Sequence, residues 1–348
     1  MHDAQHSVEI ASLSPTQYEW LRRCPLHVAL DLQRRSGPGR RRRSDAQRLG
    51  DVIHGVMRHV VEEGHLAHDH WQTRLEAAWA AAVATEEAAD PGAPEPAVRW
   101  ADYEEKRQRT IRLADRIRQL MLVHGREGFL PEQRLEGRGG RLKGIADLVV
   151  RTPTLHAVID YKTGAVASED GSRVKDEYER QLRLYACLEQ EASGSWPDEL
   201  AIYPLKGAIA RLSVTPETCE RVADEALEAL DEYNAWVPGP QQGRPGSDSC
   251  PRCEFAPSCQ VLWTCLPLEG IAAASGVVAE VFLAERGSTS VVLEQSDGQR
   301  IEVLSISPVI HPAVASVKPG DAVGFIGITE TSEPGFFRLP RNGMLGTQ

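Results

Sequence analysis

Three short apolar runs lie almost end to end in the middle of the chain: "RLEGRG", "LKGIADLVVR" and "LHAVIDYK", separated by Gly139-Gly140 and Thr152-Pro153. Runs of this length, bounded by Gly and Pro, read as β-strands, and connections so short join antiparallel neighbours. "DEYERQLRLYACLEQE" (176–191) then reads as a helix, "ELAIYPL" (199–205) and "AIARLSV" (208–214) as strands, and 216–236 as another helix. A compact mixed α/β core is expected.

The flanks differ from this core. Upstream, residues 46–64 read as a helix burying Leu49, Val52, Ile53, Val56 and Val60, residues 72–89 as an Ala/Glu-rich helix, and about 102–124 as a long basic one. Downstream, "VPGPQQGRPGSDS" (237–249) reads as a linker. From about 270, short strands joined by Gly, Asp and Pro turns read as a small β-barrel of OB-like rhythm. Three parts are therefore expected: a helical part over 1–130, a core with a terminal cysteine cluster over 131–268, and the barrel over 270–348.

The 348 residues are 41% hydrophobic and 26% charged, ordinary for a globular protein. No run of about 18 apolar residues appears, so no membrane span is expected. "MHDAQHSVEI" lacks a basic-then-apolar leader pattern, and a cytoplasmic location is expected. The net charge of −11 argues against a generally basic nucleic-acid coat protein. Basic residues are clustered nonetheless, in "RRSGPGRRRRS" (34–44) and "KRQRTIRLADRIR" (106–118). Arg107, Arg109, Arg112 and Arg116 of the second run form either a solvated helix face or a phosphate track.

Candidate chemistry centres on "AVIDYKTGAV" (157–166). Asp147 lies near the start of one strand and Asp160 at the end of the next. Antiparallel pairing can bring such positions together, and Lys162 shares a face with Asp160 by the period of two. Two carboxylates and an ammonium around one point suit phosphodiester hydrolysis with Mg²⁺ or Mn²⁺, which needs hard oxygen ligands and a positive group at the phosphate. A single Asp at a strand end is more often a turn cap; the set favours a site.

"GIADLVV…HAVIDYKTG…QLRLYACL" resembles the PD-(D/E)XK nuclease superfamily in its RecB-like branch, whose pattern is G-x-x-D, then D-Y-K-T-G, then Q-x-x-x-Y. Here these are Gly144 to Asp147, Asp160 to Gly164, and Gln181 with Tyr185, with Gly50 and His54 matching an upstream G-x-x-x-H. The resemblance implies a restriction-endonuclease-like mixed sheet flanked by helices. It implies that Asp147, Asp160, the Tyr161 carbonyl and His54 ligate the metal. Lys162 would orient or activate water or stabilise developing charge, and Gln181 and Tyr185 would position the strand or the lysine. Glu132 is a weaker candidate for a supporting role.

Cys250, Cys253 and Cys259 are spaced for one metal centre, zinc or iron–sulfur, lacking a fourth ligand. Iron–sulfur members of the branch resemble this chain in having an N-terminal cysteine in a Trp-Leu-x-x-Cys-Pro context, here Cys24, which implies a 4Fe–4S cluster. Cys187 reads as a buried thiol.

The expectation is a metal-dependent DNA nuclease, an exonuclease acting on single strands or free ends. No nucleotide-binding P-loop pattern occurs, so any unwinding would come from a helicase or other partner docked on the barrel. A non-catalytic DNA-end-binding or helicase-docking subunit and an RNA-directed nuclease are the alternatives.

Overall fold

The computed structural model describes residues 9–36, 44–89, 95–168, 171, 173–236, 243–285 and 287–347. Most of the basic loop and the first half of the linker therefore lie outside the described residues. The helices are α1 (Pro15–Arg23), α2 (Pro25–Ser36), α3 (Asp45–Glu62), α4 (Trp71–Ala89), α5 (Pro96–Arg99), α6 (Tyr103–His124), α7 (Asp176–Ser193), α8 (Pro216–Ala235) and α9 (Gln260–Cys265). No helix among the described residues is long and apolar enough to cross a membrane. Packing divides the chain into two compact units, one built from 9–19 and 44–235, the other from 20–36 and 236–347.

The first unit is organised by a five-stranded sheet of β1 (Phe129–Gly137), β2 (Leu142–Thr152), β3 (Leu155–Lys162), β4 (Glu199–Pro204) and β5 (Ala210–Leu212), in that order. β1, β2 and β3 are antiparallel, as their short connections require, whereas β4 runs parallel to β3. The long connection through α7 makes that parallel return possible. Period-two alternation in β3 sends Ala157, Ile159 and Tyr161 into a core shared with Leu49, Ile53, Met57, Leu113 and Ile117 of α3 and α6. The intervening Asp160 and Lys162 lie on the opposite side of the pleat. α3 is fixed at its start by a capping box, with Ser44 Oγ accepting from Gln47 N–H and the Gln47 side chain returning to Ser44 N–H.

The second unit carries a seven-stranded sheet of β6 (Ala273–Leu283), β7 (Thr289–Glu294), β8 (Arg300–Ile306), β9 (Ala322–Ile326), β10 (Thr329–Glu330), β11 (Phe336–Arg338) and β12 (Met344–Thr347). Its order is β10-β11-β8-β7-β6-β9-β12, over a core that includes Val291, Leu293, Val303, Val323 and Phe325. β10 and β12 are its edges and do not pair with each other among the described residues. The cysteine segment packs within this unit. Gly324 leaves room for the Trp263 ring and Gly346 for Pro257, since an added Cβ would stand 2.2 Å and 2.5 Å from them.

Candidate metal and phosphodiester site

Two interrupted ladders define the site. β1 pairs with β2 at Pro131 opposite Leu148 and again at Gln133 opposite Ala146, skipping the positions of Glu132 and Asp147. The β2–β3 ladder stops at Leu148 opposite Ile159, so Asp147 and Asp160 are the next positions outward. Glu132, Asp147 and Asp160 therefore occupy one row across three consecutive strands. Glu132 adopts a left-handed conformation, φ 49°, uncommon for a residue with a Cβ, which coincides with the gap in its ladder. Like charges directly opposite one another destabilise a sheet. Such a row calls for a cation.

The protein supplies part of that charge itself. Lys162 Nζ lies 2.8 Å from Asp160 Oδ2 and donates to Asp160 Oδ1 at 3.0 Å and to Gln181 Oε1 at 2.9 Å. His54, on α3, places Nδ1 3.0 Å from Asp147 Oδ1, and Asp147 Oδ2 accepts the Tyr161 N–H at 2.6 Å. The Tyr185 hydroxyl donates to the Ile145 carbonyl at 2.7 Å, bracing β2 against α7. That ring lies where a side chain at position 144 would go, for a Cβ there would stand 2.7 Å from Tyr185 Cε1 and 3.2 Å from Pro15 Cδ. Gly144 is thus required by a close approach, while Gly50 borders open space and nothing in the structure explains it.

Protonation follows from burial and neighbours. Asp160, 3% exposed, is pushed up to about 6, chiefly by burial, which Lys162 only partly offsets. Burial raises Glu132 as well, with Asp147 adding to it. Asp147 falls below its ordinary value: burial would raise it, but His54 and Lys162 outweigh that. Burial would lower His54, yet Asp147 and Asp160 hold it at about 9. Lys162 is likewise raised, burial being outweighed by Asp160.

Donor atoms of His54, Glu132 and Asp147 all lie within 4.8 Å of one another. Two carboxylates and an imidazole form a hard, oxygen-rich set that suits Mg²⁺ or Mn²⁺. Asp160 Oδ2 is buried with the Lys162 ammonium 2.8 Å away as its ion-pair partner, next to the row. The residues present fit a divalent cation. His54 would have to give up its proton to serve as a ligand. Sequence reasoning gave Glu132 too little weight: the residue lies within a strand, and only the register across β1 and β2 places it beside Asp147.

The four arginines read as a solvated helix face or a phosphate track have these partners. Arg107 pairs with Glu104 at 2.8 Å and Glu76 at 3.2 Å, and Arg109 pairs with Glu105. Arg116 donates to the carbonyls of Pro204 at 3.3 Å and Gly207 at 3.2 Å. Arg112 is exposed. Three of the four are therefore engaged within the protein.

The cysteines Cys24, Cys250, Cys253 and Cys259 come together in the second unit, and no cysteine is in a disulfide. Burial pushes Cys253 up to about 12 and raises Cys250 and Cys259, and Cys24 acts on all three through space. The Arg244 N–H points at Cys24 Sγ, 3.4 Å away. Buried, mutually repelling thiols are poor thiolates alone, and a bound metal centre removes that penalty. Cys187 is buried, as expected, with Arg138 3.6 Å from its sulfur.

A family model described as the PD-(D/E)XK nuclease superfamily matches residues 12–260. Among solved structures, the chain is similar to one from Eubacterium rectale named "Putative exonuclease", at 13% sequence identity, covering 74% of this chain and 90% of that chain, with a TM-score of 0.43. No curated protein matches the sequence.

Proposed function

Given that this chain belongs to the PD-(D/E)XK nuclease superfamily, we propose that it is a Mg²⁺- or Mn²⁺-dependent deoxyribonuclease acting on single-stranded or free DNA ends. The observation that carries this reading is the row of Glu132, Asp147 and Asp160 across three strands, with Lys162 hydrogen-bonded at its end. His54, Glu132, Asp147 and Asp160 would hold the cation, with the Tyr161 carbonyl as a further donor. When bound, the ion supplies Lewis-acid stabilisation of the phosphate oxygens and lowers the pKa of water.

The remaining roles belong to the chain itself. Lys162, kept charged by Asp160, orients water or neutralises charge developing on the phosphate. Gln181 fixes the Lys162 ammonium from α7. Tyr185 holds β2 to α7, so that Asp147 and Gln181 keep their spacing. Cys24, Cys250, Cys253 and Cys259 would bind a 4Fe–4S cluster with a structural role, a reading supported by their gathering in one unit. The C-terminal sheet, read as OB-like, would dock a helicase or other partner.

End-labelled single-stranded DNA, duplex DNA and RNA, each incubated with the protein and Mn²⁺ or EDTA, test the proposal. Cleavage of single-stranded DNA that EDTA abolishes is expected. Binding without cleavage would put a non-catalytic end-binding role in its place, and cleavage of RNA alone would reassign the substrate.

A further inference from the structure

The carboxylate row has a neighbouring row on the same two strands. In the β1–β2 ladder Arg134 stands opposite Ile145, each two residues along its strand from Glu132 or Asp147. The positions that alternate with this pair face α7. A Cβ on Gly137 would stand 2.8 Å from Glu191 Oε2, and one on Gly144 2.7 Å from Tyr185 Cε1. Opposite residues of an antiparallel pair share a face and successive ones alternate, so Arg134 and Ile145 point away from α7. Two residues of strand cover about 7 Å, a length that one extended nucleotide spans.

Both side chains are open. Ile145 is 42% exposed, and Arg134 is exposed as well. The Arg134 carbonyl accepts from Gln133 Nε2 at 3.1 Å, but its guanidinium has no acid partner among the described residues. Glu132 belongs to the group with His54 and Asp147, and Glu136 stands opposite Lys143. Other basic side chains around the site are paired. Arg58, one turn beyond His54 on α3, has Glu62 at 3.9 Å; Arg180 has Glu19 and Arg183 has Glu179, each at 2.6 Å. Lys162 is bonded to Asp160 and Gln181.

A nucleic-acid strand complements such a pair. A phosphate beside carboxylates is repelled unless a cation faces it. The ion held by the row would meet the scissile phosphate, which leaves the next phosphate to another group. A guanidinium offers it planar, two-pronged donors. An open isoleucine beside it can cover the apolar face of an unstacked base.

We infer that Arg134 and Ile145 form a nucleotide subsite, in which Arg134 binds the phosphate adjacent to the scissile one and Ile145 packs on the base attached to it. This rests on the nuclease reading of the carboxylate row, and it adds substrate contacts outside the motif residues. Neither contact reads a base edge, so the subsite takes a strand without regard to sequence. A base must leave its stack to reach Ile145, which favours unpaired strands over duplex.

The test combines two measurements on the full chain. Affinity for a fluorescent oligodeoxynucleotide is followed across a KCl series in Ca²⁺, with a normal strand and with an abasic strand that keeps every phosphate. Steady-state cleavage of the normal strand is followed in Mn²⁺. Arg134→Gln should flatten the slope of log affinity against log salt by about 0.7 on both strands, the value of one phosphate contact on a single strand. Arg134→Lys should restore the slope. Ile145→Ala should weaken binding of the normal strand about fourfold, the worth of one buried methylene, and leave the abasic strand and the salt slope unchanged. In cleavage, Arg134→Gln and Ile145→Ala should raise KM by more than they lower kcat. Arg134→Met serves as a second neutral replacement if Arg134→Gln folds poorly.

An unchanged salt slope with cleavage intact overturns the phosphate contact and leaves the nuclease reading standing. Equal effects of Ile145→Ala on normal and abasic strands, or none on either, overturn the base contact. A flattened slope in a protein that never cuts supports the subsite and removes the nuclease reading. A wild type that binds no DNA overturns the whole inference.

Discussion

Gly144 shows how a single residue ties the motif to the geometry. Its missing side chain lets the Tyr185 ring lie on β2, three residues before Asp147. Gly144→Ala should therefore displace Tyr185 or β2 and cost about 1–3 kcal/mol, the range for overpacking a tight site. Urea unfolding reads that loss, and cleavage should fall with it, whereas Gly50→Ala, in open space, should leave stability within about 0.5 kcal/mol. Strand period placed Asp147, Asp160 and Lys162 as candidates, because alternation along a strand is a local rule, while Gln181 came from the resemblance to the family pattern. Glu132 was harder to weigh, since its place beside Asp147 depends on register between strands and on one left-handed residue. The arginine run left a solvated face and a phosphate track both open for a related reason. Its residues sit among Glu104, Glu105 and a glutamate on another helix, Glu76, and a composition count does not show which charges meet.

Among the elements, α7 does most to connect sheet and site, and its far end is anchored by charge. Glu189, 0% exposed, takes Arg151 of β2 in two hydrogen bonds at 2.6 and 2.8 Å and His156 of β3 at 2.8 Å. Burial alone would raise the Glu189 carboxyl, but Arg151 and His156 hold it below its ordinary value. A carboxylate depressed in the folded state adds stability that is fully present above its unfolded value of about 4.3 and fades as pH falls through the lower folded value. Glu189→Gln should therefore cost about 3 kcal/mol at pH 7, the low end for breaking a buried pair because Arg151 is partly exposed. The gap between wild type and variant should close in acid below about pH 4. Urea midpoints at both pH values check this, and a gap independent of pH would show that shape, not charge, holds the helix. The element sequence of the first unit was legible because apolar runs and Gly/Pro punctuation are local. The parallel return of β4 and the anchoring by Glu189 were not, as both depend on what α7 packs against.

At the scale of the whole molecule, residues far apart in sequence share a unit: Cys24 joins Cys250, Cys253, Cys259 and the C-terminal sheet, while the carboxylate row belongs to the other unit. If the cysteines hold a metal cluster, Cys253→Ser should abolish iron binding and lower the transition of the unit containing the sheet, leaving Mn²⁺ binding by the carboxylate row intact. Iron analysis, calorimetry and Mn²⁺ titration of the same preparation read the three effects, and full iron retention would exclude Cys253 as a ligand. The net charge of −11 gives the chain no general affinity for DNA, so on the proposed reading recognition would be concentrated at a few cations and at the metal that the carboxylate row would hold. The most direct test of that claim is cleavage of end-labelled single-stranded DNA in Mn²⁺ by the wild type beside Lys162→Ala, both purified identically without oxygen. The account requires cleavage by the wild type and a loss of at least about 100-fold in the variant, as expected for removing a group that stabilises developing charge. Equal cleavage by both proteins would contradict it and place the activity somewhere other than the row of acids beside Lys162.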